Sequence, residues 1–146
     1  MAESGFVESG IIVREGAERD FAQVTQIQRE CAEAAQWPVG DYSMFALLIA
    51  EREGKVAGFC WWRQSANEEA ELLNLGVSPE ARRRGVATLL LRTLTWRAKG
   101  TIFLEVAENN CGAISLYTRE GWTRIGTRSG YYAPGINAIV MKKSSC

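Results

Sequence analysis

The stretch LGVSPEARRRGVATLLLRTL, residues 75–94, constrains the fold of this chain more than any other segment. It predicts a strand that ends at Val77, a turn at Ser78-Pro79 and a leucine-rich helix that begins at Gly85. A strand that leads through a glycine-containing turn into a helix is the setting of many phosphate-binding loops. The next apolar run, residues 101–107, is therefore expected to form a parallel strand after a right-handed crossover.

Three consecutive arginines, Arg82, Arg83 and Arg84, precede this helix. Like charges repel one another, and the positive end of the helix dipole lies at the same place. A bound polyanion would remove the conflict, because the first amide N–H groups of a helix are free to bind phosphate. Gly85 would let a phosphate approach the backbone, and Ala87 would keep the first turn small. The alternative is a solvated basic helix start that binds nothing.

The rest of the chain alternates strand-like and helix-like segments, which predicts a single domain over residues 1–146. The expected elements are a strand at 11–16, an amphipathic helix at 18–35, a loop or short helix at 36–45, strands at 45–52 and 55–64, an acidic surface loop at 65–71, a strand at 72–77, a helix at 85–98, a strand at 101–107, a helix at 110–120 and closing strands at 122–132 and 137–143. This order is typical of an α/β (α+β) protein with a mixed sheet and helices on both faces.

The composition disfavours several classes of function. The 17 basic and 17 acidic residues cancel, which argues against nonspecific binding to nucleic acid. The first ten residues do not resemble a signal peptide, and no apolar run approaches the roughly 20 residues of a membrane helix. Histidine is absent and the four cysteines are scattered, so we expect a cytoplasmic protein without disulfides or a metal site. Any proton transfer must then use Glu, Asp, Lys, Tyr, Cys or water.

Arg82-x-x-Gly85-x-Ala87 resembles the acetyl-CoA signature of the GCN5-related N-acetyltransferases, the GNAT superfamily. The segment LEVAENNCGAISLYTREGW, with the R-x-GYY and AIVM segments that follow, is more narrowly similar to the bacterial ribosomal-protein-alanine N-acetyltransferases. The similarity covers residues 72–142 and is weak before them. It implies the acyl-CoA N-acyltransferase (GNAT) fold, with a mostly antiparallel central sheet and one splayed parallel strand pair.

This resemblance implies acetyl-CoA as cosubstrate, with no metal. The backbone of Leu75, Gly76 and Val77 would pair with the pantetheine arm as an added strand does. A backbone N–H group in this strand would polarise the thioester carbonyl. The amides from Arg83 to Thr88 would hold the pyrophosphate, and Asn110 would bind farther along the molecule. The full set implied is Leu75, Gly76, Val77, Arg82, Arg83, Arg84, Gly85, Val86, Ala87, Thr88 and Asn110.

The resemblance also implies the two catalytic residues, Glu105 as general base and Tyr117 as general acid. From the residues alone, Glu105 fits equally an exposed position on its strand, and Tyr117 fits a core aromatic of its helix. A covalent route through Cys111 is disfavoured because there is no histidine to activate the thiol. An N-terminal amine, with a pKa of about 8, needs far less help to lose its proton than a lysine at about 10.4.

Tyr131 and Tyr132 match a pair that borders the acceptor-peptide site in the resembling proteins. The turn at 133–137 departs from those proteins, since it is shorter and has Asn137 where Asp is expected. This departure affects the acceptor specificity that the resemblance implies, not cofactor binding. The expected reaction is acetylation of a protein N-terminus, that of a ribosomal protein's alanine, by a monomer or weak dimer. The alternatives are a lysine or small-molecule amine as acceptor, and a non-catalytic CoA-binding module.

Overall fold

The computed structural model describes residues 7–31, 45–133 and 135–145. The described strands are β1 (Val7–Glu8), β2 (Ile11–Glu15), β3 (Ala46–Arg52), β4 (Lys55–Ala66), β5 (Glu69–Val77), β6 (Thr101–Ala107), β7 (Thr123–Ala133) and β8 (Ile136–Ser144). The α-helices are α1 (Phe21–Glu30), α2 (Val86–Arg97) and α3 (Cys111–Arg119), and short 3-10 helices occupy Glu18–Asp20 and Pro79–Ala81. No helix within these ranges is long and apolar enough to cross a membrane.

The strands form one mixed sheet in the order β1-β2-β3-β4-β5-β6-β8-β7. Among the described strands, β5 and β6 are the parallel pair and every other pair is antiparallel. Val24 and Ile27 of α1 belong to a cluster on one face, whereas α2 packs its leucines into a second cluster on the other face, which Tyr117 of α3 joins. The predicted α/β architecture, with helices on both faces, is confirmed.

The parallel pair separates after a short ladder. Its register runs from Glu69 opposite Thr101 to Glu71 opposite Phe103, although β5 continues to Val77 and β6 to Ala107. On the other side of β5, Trp62 lies opposite Leu72 while Trp61 lies opposite Asn74, so Leu73 is an extra, bulged residue. The predicted splay of the two strands is therefore present, and the bulge bends β5 at the point where the splay begins.

The bulge also reverses which side chains of β5 face which helices. Leu72 packs in the cluster of α2 and α3, whereas Asn74 turns to the other face and donates a hydrogen bond to Gln28 of α1 at 3.3 Å. After the bulge, Leu75 and Val77 pack against the cluster of α2 and α3. The strand therefore presents apolar side chains under α2 up to its last residue.

Three boundaries differ from the prediction. The hairpin partner β1 was not expected, because two residues carry no periodic pattern. The prediction of an acidic surface loop at 65–71 was wrong, since β4 extends to Ala66 and β5 begins at Glu69. The first α-helix ends at Glu30 and Cys31 is already extended, which corrects the predicted end at residue 35. Residues 32–35 of the predicted span, like most of the expected loop or short helix after it, lie outside the described residues.

A partly buried ionic cluster fixes the start of α1 to the sheet. Asp20 is 2% exposed and accepts hydrogen bonds from the Arg14 guanidinium at 2.8 Å and from the Ala17 N–H at 2.8 Å. The same guanidinium donates to Glu51 of β3 at 2.8 Å. The hydrogen bond from Arg14 holds the pKa of Asp20 below its ordinary value and outweighs the opposing effect of burial.

Candidate active site

The turn before α2 has the backbone shape that its sequence predicts. Gly85 is the N-cap residue, with φ 87° and ψ 12°, and Arg83 also has a positive φ of 64°. Gly85 has no side chain that could cap the helix, so the first amide N–H groups of α2 lack that partner. A Cβ built on Gly85 would meet no atom of the described residues within 4 Å, so there is open space beside this turn. The three arginines around the space are exposed, as an anion site requires.

A cavity of about 470 Å³ lies in the gap between the separated ends of β5 and β6. Of the residues predicted for the site, it is lined by Leu75, Gly76, Val77, Arg82, Ala87, Glu105, Asn110 and Tyr117. The other five predicted residues lie around the N-terminus of α2 but outside this lining: Arg83, Arg84, Gly85, Val86 and Thr88. The Val86 side chain is buried in the core. The structure therefore brings both predicted catalytic residues and all three predicted β5 positions to one cavity, with Arg82 and Ala87 from the start of α2. Its size suits one elongated small molecule.

Two of the three predicted backbone positions of β5 face the gap. The Ser78 N–H donates to the Ala57 carbonyl on the β4 side at 2.8 Å. Since backbone groups alternate along a strand, Gly76 also points toward β4, and Leu75 and Val77 point into the gap. The Leu75 N–H donates to the Asn74 carboxamide oxygen at 3.0 Å. The role of Gly76 is to leave room for the Phe59 ring, since a Cβ at this position would lie 2.6 Å from it.

Glu105 enters the cavity from the α1 side of the sheet. The even-numbered residues of β6 pack in the cluster of α2 and α3, so odd-numbered Glu105 points to the other face. Its side chain is 24% exposed, and its Oε2 lies 2.9 Å from Nη2 of Arg128 on β7. The carboxylate is thus half-buried and ion-paired at the edge of the gap. The sequence left open whether it would be exposed on its strand, and the contact with Arg128 was not foreseen.

Tyr117 reaches the cavity from α3, on the opposite face of the sheet. Asn110 starts this helix as its N-cap, because its Oδ1 accepts a hydrogen bond from the Ala113 N–H at 3.2 Å. The Tyr117 ring is 6% exposed and packs against the Trp122 ring, with centroids 5.8 Å apart. The tyrosine is therefore a packed aromatic and a cavity-lining residue at once. Cys111 and Gly112, in the first turn of α3, also line the cavity.

Asn137 holds the hairpin of β7 and β8 beside the end of β6. Its Oδ1 accepts the Gly130 N–H at 2.8 Å, while its own N–H donates to Oε2 of Glu108 at 3.0 Å. An aspartate here would bring a second carboxylate beside Glu108, which explains why an amide suits this shorter turn. Tyr131 and Tyr132 belong to β7, but their side chains lie outside the described residues.

Two lining residues had no sequence signal. Cys31 follows α1, far from β5 in the chain, yet its thiol donates to the Val77 carbonyl at 3.2 Å. Arg82 approaches the same sulfur with Nη2 at 3.5 Å. Asn74 was hidden in an apolar run and lines the cavity because of the bulge. Within the described ranges, no group of three or more His, Cys, Asp or Glu residues could hold a metal ion.

Comparisons with known proteins give relatives for both sequence and fold. N-alpha-acetyltransferase RimI of Mycobacterium tuberculosis is 38% identical over 79 residues, 53% of this chain and 50% of that protein. A mycothiol acetyltransferase of Stackebrandtia nassauensis is 40% identical over 95 residues, 59% of this chain but 31% of that protein. The chain thus matches a third to a half of the length of these two curated relatives.

The fold has a close counterpart among solved structures. The ribosomal-protein-S18-alanine N-acetyltransferase of Escherichia coli superposes with a TM-score of 0.81 at 24% identity, over 92% of this chain and 94% of the other. The sheet with one splayed parallel pair is therefore the GNAT fold. The sequence model described as the acetyltransferase (GNAT) family matches residues 14–122. Because this match covers most of the chain, the chain belongs to the GNAT family of acetyltransferases.

Proposed function

We propose that this protein transfers the acetyl group of acetyl-CoA to the N-terminal α-amine of a protein, with the alanine of a ribosomal protein as the leading acceptor. The observation that carries the proposal is that Glu105 and Tyr117 line one cavity, which also reaches Arg82 and Ala87 at the start of α2. A base, an acid and an anion-binding helix start are the three parts that such a transfer needs. We propose that residues 1–146 act as one N-acetyltransferase domain in the cytoplasm.

The cosubstrate would bind along the edge of β5 that β6 leaves open. The amides at the Gly85 turn would hold the pyrophosphate, and Arg82, Arg83 and Arg84 would balance its charge. The backbone groups of Leu75 and Val77 point into the gap, where the pantetheine arm would pair with them. Cys31 and Asn74 hold one backbone group each in this gap, and their hydrogen bonds would be exchanged for bonds to the arm.

The reaction would then run from one face of the sheet to the other. The amine enters from the side of Glu105, which accepts its proton through a water molecule while the nitrogen attacks the thioester carbon. A backbone N–H of β5 in the gap would stabilise the developing oxyanion. As the carbon–sulfur bond breaks, the Tyr117 hydroxyl would give its proton to the leaving thiolate. A phenol hydroxyl is a hydrogen-bond donor and carries the proton that this step requires.

A second candidate function changes only the acceptor. The relative named as a mycothiol acetyltransferase supports a small-molecule amine, whereas the relative named as an N-alpha-acetyltransferase supports a protein N-terminus. We place the protein N-terminus first because the match covers 50% of the relative named as an N-alpha-acetyltransferase, against 31% of the relative named as a mycothiol acetyltransferase.

Mass spectrometry of acetylated acceptors tests this proposal. The protein and acetyl-CoA are incubated with a peptide that begins with a ribosomal-protein alanine, with the same peptide blocked at its N-terminus, and with a thiol-sugar amine. A mass gain on the α-amine of the free peptide alone supports the proposal. A gain on the small amine alone would establish the second candidate. CoA binding without transfer to any acceptor would mean a binding module.

A further inference from the structure

Two ion pairs lie on the acceptor side of the sheet, the face that Glu105 shares with α1. Glu105 is paired with Arg128 at 2.9 Å. Glu71, which lies opposite Phe103 and therefore one same-face position before Glu105, is paired with Arg63 at 2.6 Å. Glu105 and Glu71 thus each have a guanidinium beside them.

Arg128 reaches Glu105 because β8 lies between their strands. Val140 of β8 is opposite Glu105, and Ala138 of β8 is opposite Arg128, so all four residues share one face. Arg124, four residues earlier on β7, is opposite Met141 of the α2 and α3 cluster and points to the other face. The register shift between Arg124 and Gly126 separates the two arginines in this way.

We propose that Arg128 is a specificity-determining residue, which neutralises the acceptor side of the site and thereby disfavours amines that remain protonated. This inference rests on the proposed function. A carboxylate with an adjacent guanidinium attracts an ammonium group less than the carboxylate alone does, because the guanidinium repels the incoming cation. An acceptor that enters as a neutral amine is not repelled by the guanidinium.

The two acceptor classes differ in that respect. At pH 7 about a tenth of an N-terminal amine is neutral, against about one lysine side chain in 2,500. An electrically neutral acceptor side therefore favours α-amines over lysines. If Arg128 were only a structural residue, its loss would lower transfer to both acceptors equally and would leave their ratio unchanged.

The test compares Arg128→Gln, which removes the charge, with Arg128→Lys, which keeps it. Arg124→Gln is the matched control, because it removes the same charge from the same strand on the opposite face. The acceptors are a lysine-free peptide with a free alanine N-terminus and an N-acetylated peptide with one lysine. For each variant, kcat/KM is measured on both peptides, and the ratio of lysine to α-amine is the readout. Melting temperatures verify that the variants are folded.

We expect the ratio to rise about five-fold in Arg128→Gln, the upper range for a partly exposed ion pair, and to stay near the wild-type value in the other two variants. Equal ratios in Arg128→Gln and Arg128→Lys would overturn the inference. A rise of the same size in Arg124→Gln would overturn it as well, since the effect would then come from overall charge. Failure of the proposed function is seen separately, as absence of wild-type transfer to the α-amine. In that case the lysine rate alone decides: a five-fold increase in Arg128→Gln supports the role of Arg128, and no increase refutes it.

Discussion

Glu105 and Tyr117 line the same cavity from opposite faces of the sheet. Both residues reach this cavity because β5 and β6 stop pairing after Glu71 and Phe103, which opens a gap in the sheet. A base on one side and an acid on the other would let the amine and the thiol leaving group occupy separate entrances. The splay of the strands is thus the structural basis of the proposed chemistry.

Replacement of the candidate base tests its role directly. Glu105→Gln keeps the shape of the side chain but cannot accept a proton, so we expect kcat at neutral pH to fall at least about ten-fold, in the range for loss of a general base. Affinity for acetyl-CoA, measured by calorimetry, should change little. Glu69→Gln, at the far end of β5, is the control and should behave as wild type. Wild-type turnover in Glu105→Gln would remove this residue from the mechanism.

Tyr117→Phe separates the acid role of this residue from its packing role. The variant keeps the ring that packs on Trp122 but lacks the hydroxyl, so turnover should fall by about ten-fold or more while the melting temperature shifts by only a few degrees. Activity and thermal unfolding are measured on the same preparation. A large loss of stability with a matching loss of activity would mean that the tyrosine acts through packing alone.

The Gly85 turn can be tested with a matched pair of glycines. Gly85 and Gly54 have similar positive φ values of 87° and 78°, and a Cβ at either would meet no described atom within 4 Å. Gly85→Ala and Gly54→Ala should therefore cost similar stability, about 1–2 kcal/mol for the left-handed backbone. Only Gly85→Ala should weaken CoA binding, because its methyl group would occupy the space over the helix amides. Equal CoA affinity in the two variants would contradict the assignment of the phosphate site.

Asp20 should make the stability of the fold depend on pH. Its pKa is lowered in the folded protein by Arg14, so the charged form stabilises the native state above the ordinary value of 3.8, and this contribution is lost as the pH falls through the folded value. We expect Asp20→Asn to lower the free energy of unfolding by about 2 kcal/mol at pH 7, with the difference shrinking in acid. Urea unfolding of wild type and Asp20→Asn at pH 7 and in acid measures this difference. Glu18→Gln, at an exposed position, is the control. A difference that is independent of pH would contradict the assignment.

The features that the sequence predicted well are local in the chain. Arg82, Gly85 and Ala87 lie within six residues, and the strand before them and the helix after them are continuous patterns. The strands predicted at 45–52 and 55–64 leave only Glu53 and Gly54 between them, and both residues have the positive φ that a tight hairpin needs. Such signals do not depend on how distant segments meet, so the strand, the turn and the helix around Gly85 could be predicted from residue order alone.

The features that could not be predicted depend on contacts between distant segments. Glu105 meets Arg128 only because β8, the last strand, inserts between β6 and β7. Cys31 reaches Val77 only because α1 packs under the bulged β5, and the run LLNL carries no mark of that bulge. Cross-strand register and bulges are set by the packing of both faces, which the order of residues in one strand does not reveal.

A crystal structure of the protein with acetyl-CoA tests the central claim most directly. The account predicts pyrophosphate oxygens within about 3 Å of the amide nitrogens that follow Gly85, hydrogen bonds from the pantetheine arm to the backbone of Leu75 and Val77, and a thioester between Glu105 and Tyr117. Acetyl-CoA bound elsewhere, or a gap between β5 and β6 that remains empty at saturating acetyl-CoA, would contradict it.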